Sequence, residues 1–283
     1  MKAQRTAWLC RTLRLDLTRP RVMGIVNVTP DSFSDGGRWF DAERAIEHGL
    51  RLAAEGADIL DIGGVSTRPG ADAVDAAEEL RRVLPVVQGL ARQTHVPLSV
   101  DTFRADVARE AVAAGASIVN DVAPLDGDAK MAAAVRETGA GLVLMHSRGT
   151  PQDMMRMTDY ADVAGEVKTA LAAALAYAHE QGIAEEACVI DPGLGFAKTA
   201  AQNVTLLQRL GDLTALAPVL VGASRKRFIG ELCGEAEPSA RLGGSIGVAV
   251  WSALHGASVV RAHDVKETAE ALRVVGAIVR MSR

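Results

Sequence analysis

The sequence predicts an α/β protein, a (β/α)8 barrel, on three observations. Short apolar runs suited to buried parallel strands alternate with helical patterns rich in Ala, Glu and Arg to the end of the chain. About eight such units can be counted, the number that closes a barrel of this type. Nearly every apolar run ends on a polar residue, whereas an open doubly wound sheet concentrates its polar groups at one switch point.

The strand candidates are 22–26, 58–62, 97–101, 117–121, 141–145, 187–191, 218–222 and 258–262. The helical patterns fall at 41–55, 76–94, 104–114, 128–138, 159–181, 200–210, 239–255 and 265–280. In the first helix Asp41 caps the opening turn. Ala45, Ile46, Gly49, Leu52 and Ala53 mark one face, and Gly56 stops it. Gly115, Gly139 and Gly182 end other helices in the same way. Ahead of the barrel lies a short basic extension, Met1 to Pro20, in which Leu13, Leu15 and Leu17 alternate with Arg14 and Asp16 as in a half-buried strand. No Pro- or Gly-rich linker divides the chain, so the expectation is one domain, 1–283, with the barrel at about 22–280. The connections at 29–40 and 63–75 are long and dense in polar side chains, which marks them as expected lids over the mouth.

Composition narrows the function. The 283 residues are 48% hydrophobic but only 4% aromatic, which suits a layered core of Val, Ile, Leu and Ala. A net charge of −4 argues against nucleic acid held by a general basic field, yet leaves room for a small anion in a locally cationic pocket. Cys10, Cys188 and Cys233 lie far apart without CxxC spacing and read as thiols rather than zinc ligands or a disulfide framework. The amino terminus lacks a signal-peptide core, and Leu242 to Leu254 is too short and glycine-rich to span a bilayer. The expectation is a cytoplasmic enzyme with neither membrane nor nucleic acid as partner.

The strand ends carry Asn27, Asp61, Asp101, Asn120 and Asp121, Met145 and His146, Asp191, Ser224 with Arg225 and Lys226, and Arg261 with His263. A barrel brings such residues to one mouth. Singly, Asp61 or Asp121 reads equally well as a helix cap. Jointly the set reads as a polar pocket. Asp101 and Asp191 can each take two N–H bonds from an amidine-like edge, and Asn120 can donate and accept toward a heterocycle. Arg261, His263 and Arg68 are donors suited to phosphate oxygens, and Asn27 offers a hard oxygen to Mg²⁺. The substrate so implied has a nitrogen-rich ring at one end and a phosphate at the other. Ser224 has no His or Asp partner identifiable in the sequence, so covalent catalysis is not expected. His48, His95, His179 and His255 read as surface or structural residues away from the rim. His146 sits at the rim, where it could orient a loop.

The runs MGIVNVTPDSFSDGG (23–37), DIGGVSTRPGA (61–71), SVDTF (99–103), DPGLGF (191–196), SRKRF (224–228) and RAHD (261–264) closely resemble the dihydropteroate synthase family of pterin-binding barrels. The resemblance runs in order from about 22 to 280. It implies condensation of 4-aminobenzoate with (7,8-dihydropterin-6-yl)methyl diphosphate to give 7,8-dihydropteroate and diphosphate in folate biosynthesis. On the matching positions, Asp101, Asn120 and Asp191 would hold the pterin edge, Lys226 would donate to the ring, and Met145 would pack on its plane. Asn27 would ligate Mg²⁺ on the diphosphate, Arg261 and His263 would grip that anion, and Thr67 and Arg68 would close over it. Phe33, Pro69, Phe196 and Lys226 would line the aminobenzoate pocket, with Ser66 and Arg227 nearby. The catalytic set implied is Asn27, Lys226, Arg261 and His263. The family also implies a homodimer and a target for sulfonamides, which mimic aminobenzoate. Two departures stand out: Val65 where these enzymes commonly carry Glu, and Ser147 where Met often follows the fifth-strand His. Rival readings are a methyltetrahydrofolate–corrinoid methyltransferase, which has no need of a diphosphate grip, and a non-catalytic pterin-binding protein.

Overall fold

The computed structural model describes residues 5–28, 38–66, 74–123 and 130–281. In chain order its elements are β1 (Ala7–Cys10), β2 (Leu13–Asp16), β3 (Arg21–Asn27), α1 (Arg38–Glu55), β4 (Ile59–Gly63), α2 (Ala76–Gln93), β5 (Leu98–Asp101), α3 (Ala105–Ala114), β6 (Ile118–Asp121), α4 (Met131–Thr138), β7 (Gly141–Met145) and α5 (Val163–Glu180). There follow β8 (Cys188–Asp191), α6 (Ala200–Gln208), β9 (Val219–Gly222), α7 (Arg227–Cys233), α8 (Leu242–Leu254), β10 (Ala257–Ala262) and α9 (Val265–Met281). Strands β3 to β10 pair in parallel in sequence order, and β10 closes back onto β3. Helices cover the outside, as parallel strands buried on both faces require.

Side chains alternate along each strand, so every second residue faces the barrel interior. Met23, Ile59, Ile118, Val143, Val189, Leu220 and Val259 form one fully buried apolar layer there. Two residues further along the same strands come Ile25, Asp61, Asn120, Met145, Asp191, Gly222 and Arg261. One period of the pleat thus separates an oily floor from a polar mouth. The register holds the levels together: Asp61 lies opposite Ser99, Gly63 opposite Asp101, Asp101 opposite Asn120, and Met145 opposite Asp191.

The N-terminal extension is a β-hairpin rather than the single expected strand. Trp8, Cys10 and Leu17 join the apolar floor, and the Trp8 indole donates to the Ala187 carbonyl at 2.8 Å. Gly141 makes room for it, since a Cβ there would lie 2.7 Å from Cys10 Sγ and 3.0 Å from Trp8 Nε1. The hairpin therefore plugs the barrel at the end opposite the polar mouth.

Helix starts follow their local chemistry where a cap exists. Asp75 accepts from the Glu78 amide at 2.8 Å at the start of α2, and Thr199 with Gln202 forms a capping box at the start of α6. Two expectations change. Helix α1 begins at Arg38, so Asp41 lies within it and is not its cap. The expected helix 239–255 is α8 preceded by a separate turn at Pro238–Ala240, and the short α7 was not anticipated. The bulk of the two expected lids, 29–37 and 67–73, lies outside the described residues.

Candidate active site

The site begins with one buried carboxylate. Asp61 is fully buried, and its Oδ2 accepts from Arg261 Nε at 2.6 Å and from Asn120 Nδ2 at 3.0 Å. Arg261 Nη2 reaches on to Asp101 Oδ2 at 2.7 Å. Strands β4, β5, β6 and β10 are thereby tied across the mouth by one guanidinium and one carboxamide. The sequence grouped Arg261 with His263 as an anion grip and Asp101 with Asn120 as a ring reader. In the structure the two groups meet at Arg261. Asp61 Oδ1 has no hydrogen-bond partner among the described residues, a buried acceptor aimed at no protein donor.

The electrostatics follow from burial. Asp101 is raised above the usual carboxylate range because burial disfavours its charge; Arg261 opposes that, while Asp61 and Glu79 add to it. Asp191 is also raised, chiefly by burial and against the pull of Lys226. Its Oδ1 accepts from the Gly193 amide at 2.7 Å. Burial pulls Lys226 down to about 8, with Asp191 working the other way. Lys226 Nζ donates to the Leu194 carbonyl and stands 4.6 Å from the centre of the Phe196 ring. At two interior positions the strands carry no side chain. A Cβ on Gly63 would lie 3.5 Å from Asp101 Cβ, and one on Gly222 would lie 3.8 Å from Asp191 Oδ2. A side chain at either position would pack against Asp101 or against Asp191 and Arg261.

On the β10 side, the Ser224 hydroxyl meets both the backbone N–H (3.1 Å) and Nδ1 (3.0 Å) of His263. The sequence offered Ser224 no partner; the fold supplies His263 from the neighbouring strand. Held by both contacts, the Ser224 hydroxyl orients the imidazole. His263 and Asn27 line a cleft of about 400 Å³ together with Ile25, Arg44, Glu47, His48 and Arg51. His48, expected away from the rim, belongs to this cleft wall.

Met145 is buried at the end of β7, and Phe196 is half-buried in the turn after β8. Arg227 points away along the exposed side of α7, where its Nε pairs with Glu231 at 2.8 Å. Ser66 is the last described residue before 67, and Phe33, Thr67, Arg68 and Pro69 lie outside the described residues. Sequence reasoning counted Asp61 among the strand-end polar residues but gave it no role of its own, and did not single out Lys198, which is 2% exposed beneath the Phe196 turn. Interior periodicity could have found Asp61, two residues beyond the floor residue Ile59. No group of three or more His, Cys, Asp or Glu able to hold a metal occurs among the described residues.

A closed parallel barrel whose mouth pairs carboxylates and a carboxamide with cations defines the class: a (β/α)8 protein with a polar, mixed-charge pocket at its strand ends. The comparisons agree in kind. The family described as pterin binding enzyme matches residues 23–263. The dihydropteroate synthase of Escherichia coli K12 is 47% identical over 264 residues, covering 93% of each chain. That of Synechocystis is 44% identical over 263 residues, covering 93% of this chain and 91% of its own. The Xanthomonas albilineans dihydropteroate synthase solved with 4-aminobenzoic acid superposes with a TM-score of 0.92 at 50% identity, over 96% of this chain and 98% of that one. The same enzyme solved with 7,8-dihydropteroate gives 0.88 at 48% identity, over 96% and 98%. The chain belongs to the dihydropteroate synthase family.

Proposed function

We propose that the chain condenses 4-aminobenzoate with (7,8-dihydropterin-6-yl)methyl diphosphate, giving 7,8-dihydropteroate and diphosphate. The observation that carries this is the polar mouth itself: Asp101, Asn120 and Asp191 stand at interior strand ends together with Arg261, and Lys226 lies within electrostatic reach of Asp191 and Asp101. An amidine-like pterin edge would exchange hydrogen bonds with the carboxylates and with Asn120, and Lys226 would donate to the ring. As the pterin edge takes up Asp101, the Arg261 guanidinium becomes available to the diphosphate beside His263.

The reaction asks little general-base work of the protein. The methylene–oxygen bond breaks and diphosphate leaves with the electron pair, while the electron-rich pterin spreads the resulting positive charge. The arylamine nitrogen then attacks the methylene carbon and sheds a proton. The protein's contribution is orientation, cations at the leaving group and a shielded cavity. Asn27 lines the cleft beside His263 and offers an oxygen ligand, and no group of three or more His, Cys, Asp or Glu able to hold a metal occurs among the described residues. That suits Mg²⁺, which takes few protein ligands and completes its shell with water and substrate phosphate. When bound it would neutralise charge on the departing diphosphate.

We further propose a homodimer. Gly243, Gly247, Trp251 and Leu254 fall on one face of α8 at helical spacing and are exposed. Cβ atoms added at Gly243 or Gly247 would meet nothing within 4 Å, while one at Gly244 would strike Ile229, so α8 packs inward on one side and leaves a small-residue face outward. A cytoplasmic location is in keeping with three free cysteines. Among the described residues, no helix is long and apolar enough to cross a membrane.

The test is product analysis. Both substrates with Mg²⁺ should give 7,8-dihydropteroate, identified by mass. Tight pterin binding without product would instead support a sequestering role.

A further inference from the structure

Behind the Phe196 turn lies a buried cation that the chemistry above does not use. Lys198 is 2% exposed and spends all three ammonium donors inside the protein: on the Gly193 carbonyl at 3.0 Å, the Phe196 carbonyl at 2.9 Å and His146 Nδ1 at 3.0 Å. Two of these acceptors belong to the turn between β8 and α6. The third belongs to β7's exit, where the His146 amide also donates to the Asp191 carbonyl at 2.9 Å.

The turn needs such a hold. Gly193, Gly195 and Ala197 all have positive φ (66°, 81° and 51°), and for Ala197, fully buried, that is a conformation L side chains disfavour. At its far end the Asn203 side chain accepts from the Gly195 amide at 2.8 Å and donates to the Thr199 carbonyl at 2.8 Å. At its near end Asp191 accepts from Gly193. The span between, which carries Phe196, is gripped from the pocket by Lys226 on Leu194 and from behind by Lys198. A neutral hydrocarbon would fill the Lys198 slot without the cost of burying a charge, so the ammonium's use lies in the three acceptors it joins.

We propose that Lys198, seated on His146, is a positioning residue that fixes the 193–197 turn and so holds Phe196 in place to receive the second substrate. Asp191 keeps its β-pairing with Met145 and touches the turn only through the Gly193 amide, so the first substrate's edge depends less on Lys198 than Phe196 does. Burial draws Lys198 down to about 7, Asp191 on β8 opposes this, and Lys226 and Arg148 add to it; its three hydrogen bonds, not its charge, make it a clamp. His146 is held neutral by burial first and then by Lys198 and Arg148, which keeps the Nδ1 lone pair open to the ammonium. The role of Phe196 rests on the function proposed above; the clamp itself does not.

The experiment compares the full chain with Lys198→Met. Amide exchange at 193–197 should rise about tenfold while β7 and β8 amides stay protected. The KM for 4-aminobenzoate should rise roughly fivefold to tenfold, with kcat and the Kd of a pterin analogue within about twofold to threefold. Unchanged exchange at 193–197, or equal losses for both substrates, overturns the proposal. Should Lys198→Met not fold, His146→Leu removes one acceptor and should give the same split at smaller size, about twofold to fourfold; equal or absent shifts there overturn it as well. If the wild-type chain forms no dihydropteroate, the proposed reaction fails, and the exchange measurement still decides whether Lys198 clamps the turn.

Discussion

Asp61 shows how one residue can organise a site it need not touch. It holds Arg261 and Asn120, which lie 200 and 59 residues away in sequence. Asp61→Ala should leave a buried guanidinium and carboxamide short of their acceptor and cost about 3–5 kcal/mol of stability in urea unfolding, with weakened pterin binding; a loss below about 1 kcal/mol would count against the network. This was hidden from the sequence because an Asp at a strand end reads equally well as a helix cap. Lys198 was hidden for a related reason: a Lys just ahead of a helix reads as solvated, and only the turn's path buries it. Its neighbour His146 makes a second prediction. Burial draws the ring down to about 3, below the ordinary 6.5. Between those values the unfolded chain binds more protons than the folded one. This contribution is therefore fully present above about pH 6.5 and is lost as pH falls toward 3. From pH 7 to pH 5 it amounts to roughly 2 kcal/mol. His146→Gln should flatten the acid limb of the stability profile by about that much, and a parallel profile would contradict the assignment.

At the scale of elements, the eight barrel strands were legible because each is a short Val-, Ile- and Leu-rich run with polar residues near or just past its end, and the structure places strands on all eight runs. Strand β1 was not legible: in Ala-Trp-Leu-Cys every residue is apolar, so the alternation of its buried Trp8 and Cys10 with half-buried neighbours does not show. Helix α7 was missed because it is seven residues long, holds Gly230 and ends at Gly234. The site was legible as a list of strand ends, since Asp101, Asn120, Asp191 and Arg261 share the interior parity of their strands. The cross-barrel pairing was not, because it depends on closure. The plug offers a test at this scale. Trp8→Ala should cost about 3–5 kcal/mol of stability while leaving substrate KM values unchanged in the folded fraction, because the hairpin closes the end opposite the mouth. Altered KM would mean the two ends are coupled.

For the whole molecule, the exposed face of α8 predicts an assembly. Sedimentation should give a dimer at micromolar concentration, and Leu254→Glu should shift it toward monomer while the barrel stays folded; a monomeric wild type would remove the proposal. On the proposed function, one barrel mouth would read a pterin edge and let an arylamine replace the diphosphate on its methylene carbon. The most direct measurement is diphosphate release with both substrates and Mg²⁺, beside the Asp101→Asn and Asp191→Asn variants. The account predicts one diphosphate per dihydropteroate formed, dependence on both substrates, and a loss of about a hundredfold or more in kcat/KM in each variant. Diphosphate release without dihydropteroate when both substrates are present, or variants as active as the wild type, would contradict it.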